Sequence, residues 1–181
     1  MERYRSVRNS GSPEARACNM RHAAGAVVAL RIVSSFAWLQ SALLGADAKL
    51  APDFLGGAGL VKRVSGTFAH TALTPDVAHL LQATVLPHPQ LFAFLLGFGD
   101  LAIGALLLLG LFTRLGGALE IVRAVINILV AGGAGADTIG FNAMLITAGL
   151  LVVVTGAGRR FGIDRALLER WPSARALRFF A

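Results

Sequence analysis

The sequence predicts an all-α fold: an integral membrane four-helix bundle with a long extracytoplasmic loop containing short interfacial helices. Three observations carry that reading. Of 181 residues, 55% are apolar and only 15% charged, against about 25% charged in soluble domains, and the mean hydropathy is +0.66. The apolar residues gather in four runs, each near the roughly 20 residues that cross ~30 Å of hydrocarbon as a helix. The basic excess, Lys+Arg 17 against Asp+Glu 10 for a net charge of +7, sits at the ends of those runs. This excludes an ordinary soluble enzyme and a disordered chain. It also makes the lipid bilayer the expected partner of the positive charge, with no nucleic acid. One cysteine, Cys18, excludes a disulfide framework, a CxxC redox pair and a cysteine zinc site.

Residues 1–22 are polar and basic without helical periodicity, and read as a flexible tail; translation starting at Met20 instead of Met1 would remove most of it. The first span, about 23–45, holds one charge, Arg31. Ala46-Asp47-Ala48 after it has the small-x-small shape of a cleavage site, but the apolar stretch is too long for a signal core and Arg31 interrupts it. The 46–90 loop is too long to be structureless. Pro52, Pro75 and Pro87 punctuate it, and 69–81 reads as one or two short interfacial helices. The second span, about 91–112, holds Asp100. The third, about 115–133, holds Glu120, Arg123 and Asn127, and the fourth, about 140–157, begins near Asn142. The four-span domain thus covers 23–158. Residues 159–181 alternate arginine with Phe, Leu and Trp, as in a basic amphipathic tail whose arginines snorkel to headgroups. Twelve basic residues fall in the two tails and the link at Arg114. Only Lys49, Lys62 and Arg63 fall in the 46–90 loop, which places both termini in the cytoplasm of a plasma or inner membrane.

The polar residues inside the spans are the candidates for function. Each charge in mid-span costs about 2.5–3.5 kcal/mol on insertion scales, so such residues turn inward and find partners. Here they balance, Arg31 and Arg123 against Asp100 and Glu120. Glu120, Arg123 and Asn127 lie at i, i+3 and i+7 on one stripe. Which arginine meets which carboxylate stays open. The set reads either as a structural lock between helices or as a polar pocket for a small polar or redox-active ligand. Asn142 reads equally as a helix cap or a pocket donor. Ala93, Gly97 and Gly104 form a small-residue packing face, and Trp38 and Trp171 read as packing or interface anchors. His70, His79 and His88 recur at nine-residue intervals, which is no ligand spacing, and no metal is expected. No phosphate loop, Ser-His-Asp set or HExxH is present, so any chemistry must come from a quinone, a ligand or a partner subunit.

Several short motifs resemble one membrane family in order and topology. They are Leu30-Arg31, Trp38-Leu39, and Lys49-Leu50 with Pro52 and Phe54. The stretch PHPQLFAFLLGFGDLAIGALLLLGLFTRLG and the close GAGRRFGIDRAL continue the pattern. Together, over about 26–168, they resemble the DoxX/DoxD proteins, with Asp100 where the family usually has Glu and Ala42 where it usually has Gly. The resemblance implies a four-helix membrane subunit, in the DoxD branch the small subunit of a thiosulfate:quinone oxidoreductase. That function would carry a non-covalently bound quinone and a second membrane or redox subunit, with a homo-oligomer as an alternative assembly. Arg31 and Arg123 would attract an anion or polarise a quinone carbonyl, while Asp100 and Glu120 would supply protons or hold the arginines. The rival readings are a non-catalytic scaffold for a redox or stress-response complex, and a small solute carrier.

Overall fold

The computed structural model describes residues 13–44, 48–156, 158 and 162–171, the helix path alone being given for 13–24. The remainder, including most of the 1–22 tail, Ala46 and Asp47 of the small-x-small site, and 172–181, lies outside the described residues. The described residues contain helices and no strand. In chain order they are α1 (Pro13–Leu43), α2 (Pro52–Leu55), α3 (Ala58–Lys62), a π-helical segment (Arg63–Phe68), α4 (Ala69–Thr71), α5 (Pro75–Val85), α6 (Pro89–Leu109), α7 (Thr113–Ala131), a 3-10 turn (Gly132–Ala134), α8 (Ala136–Thr155) and α9 (Ile163–Arg170).

Among the described residues, four helices are long and apolar enough to cross a membrane: Gly25–Leu43 within α1, then α6, α7 and α8. Their positions agree with the expected spans to within a few residues. One boundary differs. Helix α1 starts at Pro13, so residues 13–22, expected in the flexible tail, are helical where the structure describes them. Proline is at home in the first helical position, and the Glu-Ala-Arg-Ala that follows consists mainly of good helix formers continued by an already nucleated span.

The four long helices form a ring in which α1 packs on α6 and α8, and α7 on α6 and α8. Small residues set the spacing. A Cβ on Gly104 would lie 2.7 Å from Leu39, and one on Gly117 would lie 2.9 Å from the Gly149 carbonyl. The expected role of Gly104 as a packing residue is thus met at the α1–α6 contact. The ring encloses a core of Trp38, Ile103, Leu107, Ala124, Leu145 and Val152. Its outside is apolar, with Phe94, Phe98, Val122, Ile126, Phe141 and Val154 among many exposed side chains. Water would not tolerate so large an apolar surface, whereas lipid matches it.

The 48–88 stretch makes a second, smaller body on one end of the ring, where Phe54, Leu60, Val64 and Val85 form a core that packs against Ala93 of α6. Prolines 52 and 75 each start a helix, and the Thr74 hydroxyl caps α5 by accepting from the Val77 amide at 3.4 Å. The Leu73 amide donates to the Leu129 carbonyl at 2.9 Å, tying this cap to the end of α7. The short helices expected at 69–81 are present as α4 and the first part of α5, with α2, α3 and the π-helical segment before them. Between α1 and α2 the chain folds back on itself: the Lys49 and Leu50 amides donate to the carbonyls of Ser41 and Ala42. Gly97 makes room for this return, since a Cβ there would lie 2.8 Å from the Lys49 carbonyl.

Candidate functional site

Asp100, on α6, is fully buried and stands at the centre of a polar network. Its Oδ1 accepts from Arg123 Nε at 2.9 Å. Its Oδ2 accepts from the Lys49 ammonium and, at 3.0 Å, from the Ser41 hydroxyl, which itself takes a 2.7 Å bond from Lys49. Arg123 Nη1 donates to Asn127 Oδ1, one helical turn further along α7. Of the pairings the sequence left open, the one formed is therefore Asp100 with Arg123. Lys49 joins it from outside the spans, and both cations are nearly buried. Burial pushes the Lys49 pKa below the ordinary lysine value; Arg123 and then Arg63 press it the same way, and the contact with Asp100 opposes them.

A second polar group lies deeper. Glu120 is fully buried and its Oε1 accepts from the Trp38 indole at 3.2 Å. Ser34 is beside it, while Oε2 meets no donor in hydrogen-bonding geometry among the described residues. Gly149 leaves the space that Glu120 fills, because a Cβ there would come within 3.2 Å of Oε2. The same Trp38 ring carries the Arg123 guanidinium 6.0 Å from its centroid. Trp38, expected as a packing or interface residue, is thus a core residue that also bridges the two polar groups. Ser34, Trp38 and Ser41 recur at i, i+4 and i+7 on α1, the face turned toward Glu120 and Asp100.

Arg31 does not join them. It is buried at the opposite end of the ring, against Gly110 and Gly162, with Asp164 as its electrostatic neighbour. Asp164 in turn accepts from the Phe112 amide at 2.6 Å, the Thr113 amide at 3.0 Å and the Thr113 hydroxyl at 2.5 Å. It closes the α6–α7 turn and the start of α7. Asn142 is no helix cap, since Gly135 holds that position in α8. Asn142 Nδ2 donates back to the Thr138 carbonyl at 2.8 Å, and Oδ1 is buried without a partner among the described residues. The register of Gly117 against Gly149 puts it level with Ala124, inside the ring.

Above the Asp100 network is a chamber of about 320 Å³. Lys49, Arg123 and Asn127 form its floor, Leu81, Val85, Phe92, Leu96, Ile126 and Val130 its sides, and Leu60, Arg63, Val64 and Phe68 its wall toward the cap. Lys49 and Arg123 pair with Asp100 beneath it, and Arg63 stands in its wall. The expected site residues divide accordingly: Asp100, Arg123 and Asn127 belong to the chamber and its floor, whereas Glu120, Asn142 and Arg31 do not line it. Sequence reasoning missed Lys49, Ser41 and Asp164. By position Lys49 reads as a loop charge, and its place in the Lys49-Leu50-x-Pro52 motif is the available signal. Among the described residues no three His, Cys, Asp or Glu form a metal-holding group, and His70, His79 and His88 are exposed.

The family model described as "TQO small subunit DoxD", for thiosulfate:quinone oxidoreductase, matches residues 26–177. The chain belongs to the DoxD family. No curated protein and no solved structure matches it. The motifs that carry the resemblance divide between the two ends of this DoxD-family chain. Lys49 and Asp100 meet beneath the chamber, with Trp38 deeper, against Arg123 and Glu120, while the Thr113 and Asp164 motifs meet at the α6–α7 turn.

Proposed function

We propose that this chain is the membrane subunit of a quinone-linked redox complex, with both termini in the cytoplasm, and that the chamber over Asp100 seats the quinone headgroup. As a DoxD-family protein it is related to the small subunit of thiosulfate:quinone oxidoreductase, and thiosulfate oxidation by a partner subunit is the reaction it would serve. The observation that carries the reading is the chamber's division into apolar sides and a floor of hydrogen-bond donors. Its volume falls at the lower end of the range for small-molecule pockets.

The residues fit such a group. Leu81, Val85, Phe92 and Leu96 offer apolar surface to a ring and its tail, and Ile126, which is exposed on the outside of α7, puts the chamber beside the lipid from which a quinone comes. Arg123 and Lys49 are charged donors suited to a carbonyl oxygen, and Asn127 supplies an amide. Arg123, Lys49 and Asn127 would hold a quinone there, whose carbonyl oxygens would supply two-electron, two-proton acceptor chemistry for electrons from the partner subunit. The chain's own contribution is to hold and deliver. Asp100 fixes both cations by charge-assisted bonds and is a positioning residue. Lys49, whose proton is held less tightly than in water, is the donor best suited to release it toward the chamber. Glu120 and Arg31, away from the chamber, serve the ring.

Protein purified in mild detergent is expected to carry extractable quinone and to bring a redox subunit with it. Arg123→Gln should lose most of the quinone while keeping the partner. Quinone retention unchanged in a folded Arg123→Gln protein would remove the chamber from the reading. Clean protein with neither quinone nor partner would leave a scaffold.

A further inference from the structure

Glu120 satisfies its hydrogen bonds only as a neutral acid. It is fully buried, and the Trp38 indole donates to its Oε1 at 3.2 Å. The Ser34 hydroxyl is the other polar group beside it, but its single proton goes to the Arg31 carbonyl at 3.1 Å. Oε2 therefore meets no donor among the described residues. An ionised carboxylate can only accept, whereas a protonated one is also a donor. The Ser34 oxygen, its own proton committed, is left as the acceptor for that donor. A proton on Oε2 completes a run from Glu120 through Ser34 to the Arg31 carbonyl; without it, a buried charge rests on one neutral donor.

The charged groups around Glu120 are engaged elsewhere. From α1 it faces Ser34 and Trp38, the Arg31 guanidinium being turned toward Gly110 and Gly162. From α8 it faces Gly149, and the acidic residue of that helix, Asp137, is in the first turn. Helix α6 brings Asp100, already bonded to Lys49. Helix α7 itself carries Arg114, six residues back on another face, and Arg123, three residues on along the same stripe. Arg123 is held by Asp100, on Nε at 2.9 Å, and by Asn127, on Nη1.

We propose that Glu120 is a proton-bearing switch that sets the position of Arg123. While it holds its proton, Arg123 stays on Asp100, as in the structure. When the O–H bond breaks and the proton leaves to water, the new carboxylate stands one turn from Arg123, at a spacing of about 5–6 Å between Cβ atoms. The Trp38 ring lies alongside both, its indole N–H on Glu120 and its centroid 6.0 Å from the guanidinium. The guanidinium, still protonated, crosses that ring face to pair with Glu120, and Asp100 is left to Lys49 and Ser41. Two carboxylates thus compete for one arginine, and the proton on Glu120 decides which of them has it. Glu120 serves the ring as a neutral acid and acts on the charges beneath the chamber through Arg123, as a positioning residue. The switch stands whether or not the chamber takes a quinone.

Infrared spectroscopy of the full chain in detergent, recorded over a pH series and as a difference against Glu120→Gln, tests the switch. At neutral pH the wild type is expected to show the C=O stretch of a protonated carboxylic acid that Glu120→Gln removes. Glutamine also donates toward Ser34, so this variant keeps the resting arrangement and folds. The band should disappear as the pH is raised, and Arg123→Gln should keep it at pH values where the wild type has lost it, because no guanidinium then comes to the carboxylate. Asp100→Asn combined with Lys49→Met releases Arg123 while sparing the protein two opposed cations. It should raise the ionised-to-neutral ratio of Glu120 about tenfold or more, the size of one charged hydrogen bond. Absence at neutral pH of an acid band that depends on Glu120 would overturn the proposal. So would a band that vanishes at the same pH in wild type and Arg123→Gln, since Glu120 would then be a neutral acid without hold on the arginine. Quinone content of the same samples reads the chamber separately.

Discussion

Asp100 and Asp164 are both fully buried carboxylates, yet they are held in opposite ways. Asp100 is bonded by side chains from three places, Arg123, Lys49 and Ser41. All three contacts can loosen as the surroundings change, and the group sits below a chamber. Asp164 is bonded by two backbone amides and one hydroxyl of adjacent residues, with glycine backbone packed around it. A carboxylate on backbone amides at the start of a helix completes the donors that the helix leaves unpaired. The same residue type therefore serves a fixed joint at one end of the ring and an adjustable charge centre at the other. Burial alone does not tell a site from a structural lock; whether the donors are side chains or backbone amides does.

The largest effect is expected at the adjustable end. Asp100→Asn leaves Lys49 and Arg123 buried together without a counter-charge. Removing one partner of a buried ion pair costs about 3–5 kcal/mol, which should appear as a large loss in thermal stability in detergent. Adding Lys49→Met should recover part of it by removing one of the two opposed cations. If the single substitution proved almost neutral, water would be compensating the cations and the chamber floor would be wet.

Asp164→Ala comes next. It removes the acceptor of three hydrogen bonds and leaves the Phe112 and Thr113 donors unpaired, at about 2–3 kcal/mol. Phe112 has a left-handed backbone, φ 46°, a conformation that persists when neighbouring contacts impose it. Loss of the bond to its amide should also make the α6–α7 turn exchange its amide hydrogens faster. Quinone content per folded molecule should not change. A drop there would mean that the two ends of the ring are coupled, and the comparison between them would fail.

Much of this division was legible in the sequence, in unequal degree. The spans were readable because length and hydropathy are nearly sufficient conditions for a membrane helix, and the balance of Arg31, Asp100, Glu120 and Arg123 announced an interior polar set. The stripe of Glu120, Arg123 and Asn127 followed from helical periodicity. Partner identity did not follow, because it depends on tertiary register. Arg31 and Glu120 are both central in a list of charges, yet the helices place Arg31 by the α6–α7 turn and Glu120 against Trp38. Lys49 was hidden for a different reason. A lysine beyond a span reads as a loop charge, and only the backbone return of Lys49 and Leu50 onto Ser41 and Ala42 carries it to Asp100. The start of α1 at Pro13 was missed because the first turns have no apolar stripe; helix propensity and continuity with the span extend it.

Glu120 is expected to give a smaller effect. Gln at this position keeps the acceptor for the Trp38 indole and adds an amide beside Ser34, so Glu120→Gln should change stability by about 1 kcal/mol or less and leave quinone content unaltered. Loss of quinone in that variant would place the Trp38 bridge within the binding site and move the boundary between lock and site deeper into the ring.

The smallest effect is a pH dependence at Lys49, and its sign follows from the direction of the pKa shift. The folded chain holds this proton less tightly than the unfolded one, because burial and the nearby Arg123 outweigh the attraction of Asp100. Between the lowered folded value and the ordinary 10.5, the unfolded state binds more protons, so the Lys49 contribution to stability rises with pH across that window. Below the folded value the unfavourable contribution is present in full; above 10.5 it is gone. The difference in unfolding free energy between wild type and Lys49→Met should therefore shift in favour of wild type as pH rises from neutral toward 10.5. Parallel profiles would mean that the Asp100 contact balances burial, and Lys49 would then be held as firmly as the joint at Asp164, with no proton ready for the chamber.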